Sequence, residues 1–216
     1  NGQFDLEGDY PRSGPGQQSG NGGYVNSSNL PAMDPNITPG PLPEGPGWEK
    51  LDAVLTNVLT QDWRERGNPG NPRILETYKV CGNAYTKDGG AMSHAWCAAF
   101  VSWALKNAGI ESLRSMGSQT YRTFGSEVDW RTLDKIRYLD IVVFKSRKRS
   151  GGHIGFIVGA DPKTNKLKVL GGNQGNDVKI STYSVSNTSQ YVLSFDAYDF
   201  SYLFTSLLIR LGLMHP

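Results

Sequence analysis

The spacing of apolar residues in this chain changes once, between residues 109 and 141, and that change limits the class of fold. Before it, Trp48, Leu51, Val54, Leu55, Val58 and Leu59 recur every three or four positions and predict a helix over 48–60. Asn71 and Pro72 then supply a cap and a first helical residue for a second helix over 72–81, which buries Ile74, Leu75 and Tyr78 and stops at Gly82. A third helix over 96–108 is apolar around most of its circumference (Ala98, Phe100, Val101, Ala104, Leu105) and ends at Gly109, so it should be central. After the change come short strand-like runs: 141–144, 153–158, 167–170, 178–180 and 191–195, with a turn over 161–165. Short connections make consecutive strands antiparallel neighbours. The expectation is an α+β domain with the third helix packed across an antiparallel meander. Residues 111–138 are weakly patterned, and 198–213 read as a C-terminal helix.

Composition divides the chain. Residues 1–47 hold 10 of the 26 glycines and 8 of the 12 prolines, too little apolar surface for a core, and read as a linker or extended arm. Residues 48–196 form the folded unit, and 197–216 a C-terminal extension. A net charge of +2 from 22 basic and 20 acidic residues argues against nucleic-acid binding. The one basic run, Lys145-Ser146-Arg147-Lys148-Arg149, reads as a solvated hairpin tip or as a rim attracting an anionic substrate. No apolar run reaches the ~18 residues of a membrane span. No basic segment followed by an apolar one opens the chain, so no signal peptide is expected. The start at Asn1 leaves a processed product or a piece of a longer polypeptide open. No Cys/His spacing suits zinc and no acidic loop suits calcium, so neither metal nor cofactor is expected.

Two cysteines are too few for a disulfide scaffold. Cys81 reads as a small buried hydrophobe, whereas Cys97 opens the central helix, where unpaired N–H groups favour a thiolate. His153 opens a strand that this helix could cross, and could take the thiol proton to form an ion pair. Asn173, in Gly171-Gly172-Asn173-Gln174, follows the next strand and could orient the imidazole. Of the other histidines, His215 is penultimate and His94, three residues before Cys97, is a competing base or a residue flanking the nucleophile. Cysteine, histidine and asparagine in this order are the parts of a thiol hydrolase, with the Cys97 N–H as one oxyanion donor.

At these residues the chain resembles the NlpC-type and CHAP (cysteine- and histidine-dependent amidohydrolase/peptidase) cell-wall hydrolases. It is most similar to the phage and bacterial subgroup with a Trp-Cys-Ala-Ala-Phe-Val element. The segments that carry the likeness are 71–76, 95–103, 140–144, 152–159 and 170–174, in that order, and it extends over roughly 48–195. The resemblance implies a papain-like fold and cleavage of amide bonds in peptidoglycan, by an endopeptidase or an N-acetylmuramoyl-L-alanine amidase. Cys97 would be the nucleophile, His153 the base and Asn173 the third member, with Trp96, His94 and Gln174 lining the substrate. Relatives often carry an acidic residue two positions before the asparagine, where this chain has Gly171. A lysin held in a phage tail or baseplate through residues 1–47, or released to the host wall or periplasm, would account for the arm. The alternative is a non-catalytic tail component that keeps the fold.

Overall fold

The computed structural model describes residues 45–89, 94–129, 136–145, 152–161, 164–185 and 190–194. Helix α1 (Pro46–Val58) buries Trp48, Leu51, Leu55 and Val58 along one face. Helix α2 (Pro72–Val80) starts as its sequence dictates: the Asn71 side chain accepts the Arg73 N–H, and Pro72 occupies the first turn. Every residue of α3 (Cys97–Asn107) up to Ser102 is buried, as are Ala104 and Leu105. This hydrophobic helix lies among α1, α2 and the sheet. Gly82 and Gly109 follow α2 and α3 with φ of 80° and 77°, the left-handed turn that ends a helix.

Among the described residues, six antiparallel strands form one sheet: β1 (Ser126–Val128), β2 (Ile141–Lys145), β3 (Gly152–Asp161), β4 (Lys166–Gly171), β5 (Lys179–Ser184) and β6 (Gln190–Ser194). Their order across the sheet is β1-β6-β2-β3-β4-β5. The α+β expectation holds, and β2 to β5 pair consecutively as a meander. The last strand departs from it. β6 does not lie beside β5 but crosses back to sit between β1 and β2. Burial explains the choice, since Val192 and Leu193 of β6 are both buried while only Tyr183 of β5 is, which suits an edge. The weakly patterned stretch supplies a 3₁₀ helix (Ser118–Thr123) and β1. The extended arm through residue 44, most of the basic run and the C-terminal helix over 198–213 lie outside the described residues. Among the described residues, no helix is long and apolar enough to cross a membrane.

Side chains on the two faces of the sheet separate into two cores. Ile141, Val143, Ile154, Phe156 and Leu170 pack with the helices. Val142, Phe144, Ile157, Val169, Tyr183 and Val192 pack with one another on the other face. Phe144 on β2 and Tyr183 on β5 are three strands apart, about 14 Å in a flat sheet. Their ring centroids are nonetheless 4.6 Å apart, so the sheet curls around this second core.

Candidate active site

Cys97 is the first residue of α3, and the preceding Trp96 offers no side-chain cap to the helix start. The Cys97 sulfur instead sits within reach of three backbone N–H groups, those of Ala98, Ile154 and Cys97 itself. These would stabilise a thiolate, as any helix start does. Burial outweighs them. The side chain is 2% exposed, and desolvation pushes the thiol up to about 11.

The Ile154 N–H ties the sulfur to β3 one residue beyond His153. Ile154 points into the helical core, so by strand alternation the imidazole of His153 points to the other face. There it lies near-parallel to Phe144 and Tyr183, at 6.4 and 5.8 Å between centroids. His153 is 1% exposed, and burial alone pulls its imidazole down to about 4. The structure thus brings Cys97 and His153 to the same end of β3 but differs from the expected ion pair. Each group is neutral near pH 7, and neither contributes to the other's proton affinity. The reason is desolvation, which disfavours both charged forms where no counter-charge is in contact.

The segment after β4 closes over this junction. A Cβ on Gly171 would stand 3.3 Å from His153 Nε2, and one on Gly172 would stand 2.6 Å from both the Trp96 ring and the Phe100 Cβ. Gly172 therefore has no room for a side chain, and Gly171 only a tight fit, where the chain passes between the imidazole and the start of α3. Asn173 turns the chain with φ 59°, a left-handed conformation that asparagine tolerates. Its side chain makes no hydrogen bond to Nε2 of His153, which is buried without a partner.

Two residues expected to line the substrate are interior instead. Trp96 is 0% exposed, its ring lying beneath Gly172 and its indole N–H donating to Glu65 Oε1 at 2.8 Å. Gln174 is 1% exposed, and its amide nitrogen donates to the carbonyls of Val169, Gly171 and Lys179 at 3.1, 3.1 and 2.6 Å. Its Oε1 accepts the Tyr183 hydroxyl at 2.6 Å. Both residues are large and sit in contact with glycines, which leaves no ligand-facing surface. His94 is half-buried against Tyr85, 4.5 Å between centroids, with its carbonyl accepting from the Tyr78 hydroxyl. Tyr183 escapes the sequence reading altogether. The available signal was its place as the one large aromatic in a polar strand.

A cavity of about 480 Å³ lies elsewhere, between the start of α2 and Trp103, and none of Cys97, His153 or Asn173 lines it. Among the described residues no three His, Cys, Asp or Glu side chains converge as a metal site.

Residues 88–173 match the family model of the CHAP domain. Over that segment the chain is similar to the CHAP domain. No curated protein matches the chain, and no solved structure does. The CHAP segment begins at Asp88, whose carboxylate accepts the backbone N–H groups of Arg66, Gly67 and Asn71. It contains Cys97 and His153 and stops at Asn173, so Gln174 and Tyr183 lie beyond it. The family points to a hydrolase acting on the amide bonds of peptidoglycan.

Proposed function

We propose that this protein cleaves peptidoglycan amide bonds by thiol attack from Cys97, with His153 as general base. The observation that supports the reading is the contact between the Cys97 sulfur and the Ile154 N–H, one residue from His153, within the segment similar to CHAP.

Because both groups rest neutral, proton transfer accompanies attack rather than preceding it. As sulfur bonds to the carbonyl carbon, its proton passes through an intervening water to the imidazole, and the oxyanion takes the backbone N–H of Cys97. The imidazolium then protonates the departing amine as the C–N bond breaks. Water, deprotonated by His153, clears the thioester and restores the thiol. Attachment to a phage tail or baseplate through residues 1–47 belongs to the same proposal. The test is mass spectrometry of digested wall fragments: a new peptide amine identifies an endopeptidase, and a free lactyl carboxyl with an intact peptide identifies the amidase.

One observation favours a second reading, a structural component without turnover: the candidate nucleophile and base are both buried. Unchanged wall fragments after incubation with the full chain would support it.

A further inference from the structure

A base on a strand needs its ring plane fixed if one nitrogen is to receive the thiol proton reproducibly. Thiol hydrolases commonly meet this need with a hydrogen bond to the second nitrogen. Here His153 Nε2 is buried and has no such bond. The backbone of Gly171 occupies the space beside it, and even a Cβ there would fit tightly: it would stand 3.1 Å from Gln174 Nε2, 3.2 Å from the Ile154 carbonyl and 3.3 Å from His153 Nε2.

What constrains the ring is aromatic. Phe144 is the register partner of His153 across β2 and β3, and lies at 16° to the imidazole. Tyr183 approaches from β5, at 26° to the imidazole and 28° to Phe144. Backbone pairing fixes Phe144. Tyr183 comes from an edge strand and is fixed by its hydroxyl, which donates to Gln174 Oε1 at 2.6 Å. The Gln174 amide nitrogen is bonded to the Gly171 carbonyl at 3.1 Å and to the Lys179 carbonyl at 2.6 Å. A continuous chain of contacts thus runs from the β4–β5 turn through Gln174 and Tyr183 to the imidazole.

We propose that Tyr183 is the positioning residue of this site, its ring, anchored by Gln174, holding the His153 imidazole in place of a hydrogen bond to Nε2. The inference rests on the reading of His153 as base. It lies outside the matched CHAP segment, since both Gln174 and Tyr183 follow Asn173. Tyr183 touches no reacting atom, so its loss should lower turnover and leave substrate binding intact.

The experiment compares the full chain with Tyr183→Met, which keeps volume without a ring plane, and Tyr183→Phe, which keeps the ring without the anchor. kcat and KM are measured on soluble peptidoglycan fragments, well below each variant's melting temperature, alongside ¹⁵N spectra of the His153 imidazole. Tyr183→Met should lower kcat at least ten-fold with KM within two-fold, and should turn a single imidazole tautomer into an averaged one. Tyr183→Phe should retain at least a third of the parent kcat. A folded Tyr183→Met with parental kcat overturns the proposal, as does Tyr183→Phe falling as low as Tyr183→Met. If Tyr183→Met does not fold, the parent spectrum still decides: an imidazole already averaging between tautomers or ring positions contradicts the proposal. A parent that hydrolyses nothing yet shows the tautomer change in Tyr183→Met refutes the hydrolase reading while leaving the positioning contact standing.

Discussion

Gly171 and His153 meet so closely that one added carbon on the glycine would stand 3.3 Å from the imidazole Nε2. The pair marks where the β4–β5 turn is pressed against the candidate base. Gly171→Ala should therefore destabilise the fold by about 1–3 kcal/mol, the usual cost of overpacking. Gly172→Ala should cost more, since its Cβ would stand 2.6 Å from both Phe100 Cβ and the Trp96 ring. Urea unfolding of the two variants checks the order; equal stability to the parent would mean that the turn is not seated as described.

His153 makes stability depend on pH. Its native imidazole titrates at about 4, below the ~6.5 of an unfolded chain, so the unfolded state binds the proton first. This contribution is complete above ~6.5 and is lost as pH falls toward 4, by roughly 3 kcal/mol in all. Burial raises Glu65 and Asp177, which act in the opposite sense at the acid end. The difference between parent and His153→Met isolates the histidine. Unfolding free energies from pH 7 to pH 4 should fall more steeply in the parent.

Cys97 should behave unlike an activated thiol in the absence of substrate. With its thiol pushed up to about 11, alkylation by iodoacetamide in a Cys81→Ser background should be slow at pH 7 and rise only toward that value. Fast alkylation at pH 6 would show that a thiolate–imidazolium pair exists in solution.

Asp88 holds the loop before α2. It accepts from the N–H groups of Arg66 at 3.0 Å, Gly67 at 2.6 Å and Asn71 at 2.5 Å. Asp88→Ala strands these donors and should cost at least about 2 kcal/mol. Asp88→Asn, with one acceptor oxygen in place of two, should recover part of that in thermal or urea unfolding.

The helices and the meander were legible because local patterns settle them. Apolar spacing places α1 and α3, Asn71 and Pro72 start α2, and Gly82 and Gly109 end their helices. The position of β6 was not legible, because a short connection says which strand follows and not which edge it joins. Residue types and order brought Cys97 and His153 to one end of β3. Their proton affinities could not be read from those residues, since desolvation depends on everything packed around them. The same holds for Tyr183, which reaches His153, two strands away, only because the sheet curls.

The central claim is that the sulfur of Cys97 is the nucleophile, and the most direct measurement is clearance of purified cell walls by the full chain and by Cys97→Ala. The substitution removes one buried sulfur and should leave a folded protein whose clearance equals that of buffer alone. A folded Cys97→Ala that clears walls as fast as the parent would contradict the account.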